Sequence, residues 1–190
     1  MKTAKLIAAF FVLVLVLNAS GQNPDFRNSN WGMDSAMVKR YETASFIDSK
    51  NNSLVFSGKL SNLDAKIVYD FTASNQLYQA FYLIRLNSKT PSLYVKYFQL
   101  FQELITKKYS EPLKKSAFTI NGKAITPDEW ASNLISDNLN LETKWKTEKT
   151  DIDLFLYSIN DELYIEIRYA SLDYTKKADE EKKVEILKSL

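Results

Sequence analysis

The chain offers few side chains that could perform acid–base or metal chemistry. Its 190 residues include no histidine and no cysteine, which removes the usual general base near neutral pH, thiol nucleophiles and the commonest ligands of zinc, copper and iron. The sequence also contains no phosphate-binding loop, dinucleotide fingerprint or nucleophile elbow. These features favour a protein that is not an enzyme and that uses no metal or other cofactor.

Two pairs of acids are the candidates for carboxylate chemistry. Asp128 and Glu129 follow Thr126-Pro127 in the pattern of a capping box, so helix capping accounts for them. Asp151 and Asp153 share one face at the start of a predicted strand and could bind a hard cation. Because no glycine-containing ligand loop accompanies them, we interpret this second pair as a solvated strand edge.

Aromatic residues are the stronger signal, since the chain has 11 Tyr, 11 Phe and 3 Trp. Tyrosine joins a rigid ring to a polar hydroxyl, which suits contacts with proteins and sugars. Packing in the core or on a sheet face would also explain these residues, because they occur at strand and helix spacing. The candidate contact residues are Tyr78, Tyr82, Trp130, Tyr157 and Tyr164.

The N-terminus has the layout of a secretory signal peptide. Lys2 and Lys5 precede an unbroken apolar run at residues 6–17, and small residues follow at Ala19-Ser20-Gly21. Twelve apolar residues are too few to span a membrane, which takes about 20. The sequence therefore predicts an exported protein, periplasmic or secreted, that is cleaved near Gly21-Gln22 and has no transmembrane segment after cleavage.

Removing that segment changes the charge of the protein. Residues 1–21 hold two lysines and no acid, so the formal charge of +2 falls to zero. A neutral chain gives no electrostatic support for nucleic-acid binding. The remaining composition predicts one globular domain at 22–174 and a charged helical tail at 175–190.

The apolar patterns predict an α+β fold. Two helix-plus-three-strand units form a largely antiparallel sheet with helices packed on one face, and a hairpin-helix is inserted at 115–138. The second unit opens with the main helix, which starts at Thr90-Pro91. This helix carries two adjacent apolar stripes, namely Leu93, Tyr97, Leu100 and Leu104, and Tyr94, Phe98, Phe101 and Ile105. The predicted strands lie at 54–59, 65–71, 77–86, 139–146, 152–156 and 163–169.

The residues around Trp31, at the start of the predicted domain, have the pattern of a structural motif. Trp31 is predicted to be a plug under the first helix, and Gly32 permits a tight turn. Asp34 is the predicted N-cap of a helix from Ser35 to about Ala44. Met33 and Val38 have the spacing of a hydrophobic staple on either side of it.

This stretch resembles a motif of exported, functionally uncharacterised bacterial proteins. In that family Phe-Arg is followed by Trp-Gly-Met, a capping residue, Val and Glu. The matching residues here are Phe26, Arg27, Trp31, Gly32, Met33, Asp34, Val38 and Glu42. Two later segments are also similar, Lys108-Tyr109-Ser110-Glu111-Pro112 and Trp145 with Thr150-Asp151-Ile152.

The chain departs from the family pattern at two positions. Met37 stands where the relatives have the Glu of a capping box, and Ser110 stands where a Gly would end the main helix. At the level of fold, the repeated helix-and-sheet unit resembles beta-lactamase-inhibitor-protein-like folds and the small outer-membrane assembly lipoproteins. A resemblance of fold does not carry a function.

The leading functional hypothesis is a non-enzymatic exported module that binds a protein or a cell-surface polymer. It rests on the predicted export, the neutral charge, the missing catalytic residue types and the tyrosines. The alternatives are a hydrolase or lyase that uses carboxylates and tyrosine, and a purely structural component of the envelope. The inserted segment at 115–138, with Trp130, is the predicted place for specificity.

Overall fold

The computed structural model describes residues 23–119, 121–135 and 139–190. The predicted signal peptide and cleavage point, Ile120 of the predicted hairpin and the end of the inserted helix at 136–138 lie outside these residues. Within them the helices are α1 (Ser35–Tyr41), α2 (Pro91–Tyr109), α3 (Trp130–Ile135) and α4 (Leu172–Ser189). The strands are β1 (Ser45–Lys50), β2 (Ser53–Leu60), β3 (Leu63–Phe71), β4 (Leu77–Ile84), β5 (Lys114–Thr119), β6 (Leu139–Lys146), β7 (Thr150–Ile159) and β8 (Glu162–Ser171).

All eight strands form one antiparallel sheet in the order β1-β2-β3-β4-β8-β7-β6-β5. The two halves of the chain meet at its centre, where β4 pairs with β8. Each half consists of a helix followed by four strands. The predicted α+β class with an antiparallel sheet is therefore confirmed.

The sheet has one more strand at each edge than the sequence pattern predicted. β1 exposes all six of its side chains, and β5 starts with two lysines. Neither segment shows the apolar alternation that marks a half-buried strand. Each becomes a strand because β2 or β6 pairs with it along one side.

The segment at 115–138 is therefore an insertion only in part. Its beginning belongs to edge strand β5, and the predicted hairpin is reduced to a turn at Asn121-Gly122 with a single bridge between Phe118 and Ala124. The predicted capping box is confirmed, since the backbone N–H of Thr126 donates to Glu129 Oε2 over 3.1 Å. Capping thus accounts for the Glu129 carboxylate.

One face of the sheet, which we call the core face, packs against the helices. Ile67, Tyr82 and Ile167 are directly aligned on it across β3, β4 and β8. Helix α2 buries one of its two stripes against this face, and α1 and α3 add Val38 and Leu134. The buried residues of α2 are Tyr94, Phe98, Phe101 and Ile105.

Helix α1 begins as predicted and ends early. The Met37 N–H donates to Asp34 Oδ1 over 2.7 Å, which confirms Asp34 as the N-cap. Val38 is fully buried and Met33 packs against the same core, as the staple requires. The helix ends at Tyr41 because Glu42 has an extended backbone and turns its carboxylate inward.

Helix α4 forms the charged tail and starts at Leu172, three residues earlier than predicted. Glu181 accepts hydrogen bonds from the backbone N–H (3.1 Å) and the hydroxyl (2.6 Å) of Ser74 in the β3–β4 turn. Lys177 donates to Gln76 in the same turn. The helix buries none of its residues completely. None of the described helices is both long enough and apolar enough to cross a membrane.

We expect Ser110→Gly to stabilise the protein by about 1 kcal/mol. Ser110 ends α2 with φ 72° and ψ −168°, a backbone conformation that is essentially restricted to glycine. Urea unfolding of the wild type and the variant measures the gain. Ser110→Ala is the control, because it keeps the Cβ and should bring no stabilisation.

Candidate functional site

Three residues of the N-terminal motif, Phe26, Arg27 and Glu42, lie over the centre of the core face. We call them the lock. Phe26 is 3% exposed, and its ring lies 5.4 Å from that of Tyr69, 5.0 Å from Tyr82 and 5.3 Å from Tyr169, centroid to centroid. These three tyrosines come from β3, β4 and β8. Phe26 therefore joins the two halves of the sheet at their junction.

Arg27 follows with a left-handed backbone (φ 50°) that turns its side chain towards Glu42. The pair is bidentate, with Arg27 Nε donating to Glu42 Oε2 over 2.8 Å and Nη2 donating to Oε1 over 2.9 Å. The Tyr69 hydroxyl also donates to Glu42 Oε2, and the Ala44 N–H donates to Oε1 over 2.7 Å. A carboxylate with no exposed side-chain surface is thus fully hydrogen-bonded.

The electrostatics of this cluster follow from burial and hydrogen bonding. Burial acts to raise the pKa of Glu42, but the hydrogen bonds from Arg27, Tyr69 and Ala44 outweigh it and hold the pKa below its ordinary value. Burial and the neighbouring Glu42 carboxylate raise the pKa of Tyr69. At neutral pH both groups are therefore fixed in their hydrogen-bonded forms.

Trp31, Gly32 and Met33 connect the lock to the ends of two strands. The Gly32 N–H donates to the Leu77 carbonyl over 2.9 Å, and the Leu77 N–H donates to the Met33 carbonyl over 2.8 Å. Trp31 Nε1 donates to Thr150 Oγ1 at the start of β7 over 2.9 Å. Trp31 is half-buried and bonded to β7, so it is not the plug under α1 that the sequence predicted. The aromatic residue of the motif that is buried in the core is Phe26 instead.

The face of the sheet opposite the helices, which we call the open face, carries a different set of side chains. Phe81 of β4 is aligned with Val68 of β3, which is aligned with Val55 of β2. Leu83, two residues along β4, is on the same face and pairs with Glu166 of β8. Apart from Val68, which is buried, these apolar side chains are half-exposed.

The apolar residues continue into the second half of the sheet. Phe155 of β7 pairs with Glu166, and the paired Tyr157 and Tyr164 stack with ring centroids 5.9 Å apart. We define the apolar stripe as Val55, Val68, Phe81, Leu83, Phe155, Tyr157 and Tyr164. It crosses the sheet from β2 to β7.

The charged residues beside the stripe are paired with one another. Lys144 lies 2.8 Å from Glu142 and 3.2 Å from Asp153, measured from Nζ to the carboxylate oxygens. Arg168 pairs with Glu166 over 2.5 Å, and its guanidinium lies 5.0 Å from the centroid of the Phe155 ring. On β8 the stripe is therefore crossed by the Glu166–Arg168 ion pair, which lies between the apolar residues of β4 and Phe155 of β7.

The acids considered for cation binding belong to this network. Asp153 is paired with Lys144, and Asp151 lies 3.7 Å from Lys146. Burial raises the pKa of Asp153, against the opposing effect of Lys144. Within the described residues, no group of three or more acidic, His or Cys side chains is arranged to hold a metal ion.

The structure distributes the five candidate contact residues over both faces. Tyr157 and Tyr164 lie together on the open face. Tyr78 is partly exposed at the opposite end of β4 from these two residues, where the charges of Asp70, Asp179 and Arg168 act on its hydroxyl. Tyr82 is buried beneath Phe26 on the core face, and Trp130 packs edge-on against Phe98 of α2. These last two cannot share a surface with the others.

Sequence reasoning missed the aliphatic part of the stripe and Phe155. The pattern of β4 contained a signal, because Phe81 and Leu83 make that strand apolar on both sides. Such a pattern normally indicates a strand with both faces covered. In this protein only the core face of β4 is covered by α1–α3, and Phe81 and Leu83 on its open face are part of the apolar stripe.

Comparison with protein-family models gave no match, and neither did comparisons with curated proteins or with solved structures.

We expect Gly32→Ala to destabilise the protein by roughly 2 kcal/mol. Gly32 has φ 83°, and a Cβ there would lie 2.2 Å from the Tyr174 hydroxyl of α4. Thermal unfolding measures the loss. In a Tyr174→Leu background the same substitution should cost less, because only the backbone strain remains; an equal cost in both backgrounds would contradict the contact with α4.

We expect Glu42→Gln to destabilise the protein by about 3 kcal/mol at pH 7, because it leaves the Arg27 charge without its partner. Urea unfolding measures this. The matched double variant Arg27→Met/Glu42→Leu removes both charges. Its loss of stability should be much smaller than the sum of the losses caused by Arg27→Met alone and Glu42→Leu alone.

The same pair predicts a loss of stability in acid. The pKa of Glu42 is lower in the folded than in the unfolded chain, so the unfolded chain takes up a proton first as the pH falls. Ionised Glu42 makes its full contribution to the free energy of unfolding above pH 4.5, its ordinary pKa. This contribution is lost as the pH falls through the lower pKa that Glu42 has in the folded chain. Unfolding free energies between pH 7 and pH 3 should show this loss in the wild type and a smaller one in Glu42→Gln.

Proposed function

We propose that this chain is a non-enzymatic exported module, periplasmic or secreted, that binds a protein or a cell-surface polymer through the apolar stripe on its open face. The observation that carries the proposal is a row of aliphatic and aromatic side chains, all partly exposed except the buried Val68, on a face without helices α1–α3. Exposed apolar surface of this kind is typical of interaction sites.

The charges around the stripe support the same proposal. Ion pairs such as Lys144–Asp153 and Arg168–Glu166 leave no free cluster of one sign on this part of the face. A polyanion such as nucleic acid needs a basic surface, so this face favours a partner with neutral or apolar contact groups. Tyr157 and Tyr164 supply hydroxyls for hydrogen bonds at one end of the stripe.

A carboxylate- and tyrosine-dependent hydrolase or lyase has less support. One acid–tyrosine pair on the open face is Tyr157 with Glu166, where the hydroxyl donates to Oε2 over 2.8 Å. Burial and the Glu166 carboxylate raise the pKa of Tyr157, so the phenol keeps its proton at neutral pH. This pair lies on a sheet face, whereas acid–base catalysis is favoured by a cleft that excludes water. A purely structural envelope component remains the third hypothesis.

We expect Leu83→Thr/Phe155→Thr to reduce partner capture by about tenfold or more, because it removes two side chains from the middle of the stripe. Threonine keeps the strand propensity of both positions. Capture is measured by pull-down and cross-linking from the native envelope, with a photo-reactive residue at Ser57, and polymer binding by co-sedimentation.

The matched control is Lys59→Thr/Lys146→Thr, which changes two exposed positions of the same face outside the stripe. It should leave capture unchanged, and thermal unfolding should show both variants folded. If the stripe variant were folded and captured its partner normally, the binding surface would have to lie elsewhere.

A further inference from the structure

Helix α2 carries a second apolar stripe that its own chain leaves partly uncovered. Leu100 and Leu104 are 44% and 50% exposed, and Leu93 and Tyr97 are half-buried. These positions follow one another at intervals of four, three and four residues, which is the spacing of the apolar seam in a coiled coil. A second helix of the right orientation can therefore pack against this side of α2.

The hydrogen bonds of α2 show which way this stripe faces. Gln102 Nε2 donates to Thr143 Oγ1 over 2.8 Å, and Thr106 Oγ1 accepts from Trp145 Nε1 over 3.3 Å, so this side of α2 faces β6. Leu104 is two residues from both Gln102 and Thr106, which is about 200° around the helix. The second stripe therefore faces the other way, towards the half of the sheet that α1 covers.

Helix α1 turns apolar side chains towards the same space. Lys39 Nζ lies 3.8 Å from the ring centroid of Phe46 on edge strand β1. Met37 and Tyr41, each two residues from Lys39, are on the opposite side of α1 and are 40% and 44% exposed. Met37 and Tyr41 and the second stripe of α2 therefore face each other across the centre of the core face, and we call the surface between them the groove.

The charges on α2 indicate which helix fits this groove. Lys96 and Glu103 are both exposed and lie on one flank of the second stripe. If two copies of α2 pack antiparallel about a two-fold axis, Leu93 meets Leu104 of the other copy and Tyr97 meets Leu100. Lys96 then lies within roughly 3 Å, along the helix axis, of Glu103 in the other copy. In a parallel pair related by a two-fold axis, the same flank of the two helices lies on opposite sides of the seam, so Lys96 and Glu103 would not meet.

We propose that a second copy of this chain occupies the groove, so that the protein is a two-fold symmetric dimer joined by antiparallel α2 helices. The proposal goes beyond the proposed function, because it uses the helical side of the sheet. Both open faces then point outwards, and one dimer can hold two partners or two sites on one polymer.

Sedimentation analysis of the purified, processed protein from about 1 to 200 μM tests the proposal. We expect a monomer–dimer equilibrium. Leu100→Glu/Leu104→Glu should raise the dimer dissociation constant at least about 100-fold, because it places charge in the seam. The matched control Ser92→Glu/Gln99→Glu adds the same charge to exposed positions of α2 outside the seam and should leave the equilibrium unchanged.

Charge reversal tests the antiparallel arrangement itself. Lys96→Glu and Glu103→Lys should each weaken the dimer by about tenfold, because each sets like charges opposite one another twice in the dimer. The double variant Lys96→Glu/Glu103→Lys should restore wild-type association. Circular dichroism and melting curves verify that every variant is folded.

A wild type that stays monomeric at 200 μM would overturn the proposal, and so would a dimer that Leu100→Glu/Leu104→Glu leaves intact. A foreign helix found cross-linked to α2 of a monomer would assign the groove to another partner. Partner binding by the apolar stripe and dimer formation through α2 can fail separately. The Leu83→Thr/Phe155→Thr variant tests partner capture, which does not depend on whether the protein is a dimer.

Discussion

The pairing of β4 with β8 is the constraint on which the rest of the structure depends. It joins residues that lie between 81 and 91 positions apart and turns two four-strand units into one continuous sheet. Closing so long a loop costs conformational entropy, so the junction needs contacts that hold it. The lock formed by Phe26, Arg27 and Glu42 lies directly over it. Phe26 contacts a tyrosine from each of β3, β4 and β8, and Trp31 adds a hydrogen bond to β7.

This position explains why the motif combines apolar and ionic residues. Phe26 supplies apolar contact, and the Arg27–Glu42 pair fixes the direction in which the chain enters α1. A buried ion pair adds little net stability by itself, but removal of one partner is costly. The lock therefore specifies the arrangement of the two halves more than it adds to their stability. A structural role of this kind accounts for the motif without a ligand.

Because the sheet is continuous, its two faces differ in what covers them: the core face carries helices and the open face does not carry α1–α3. The core face is covered by α1, α2 and α3 and contains most of the buried residues. The open face keeps a stripe of half-exposed apolar residues between ion pairs. Because α1, α2 and α3 lie on one side only, the surface proposed for a binding partner and the groove proposed for a second copy lie on opposite sides. Binding to one does not block the other.

The sequence by itself determined the inner strands, the main helix and the helix caps. Alternation at residues 65–71 and 163–169, and the caps at Asp34 and Thr126, are local signals with local physical causes. The edge strands were missed, because β1 and β5 bury few side chains and become strands through their neighbours. A signal for β1 was present in Asn51-Asn52, since asparagine tolerates the left-handed conformation that both residues adopt in the β1–β2 turn.

Only the tertiary structure decided which aromatic residues share a surface. Tyr82 and Tyr164 both occupy strands, yet one is buried under Phe26 and the other is half-exposed beside Tyr157. Alternation along a strand separates its two faces, but it does not say which face the helices cover. That choice depends on how β4 meets β8 and where α2 packs. These are contacts between residues far apart in the chain, and no local pattern encodes them.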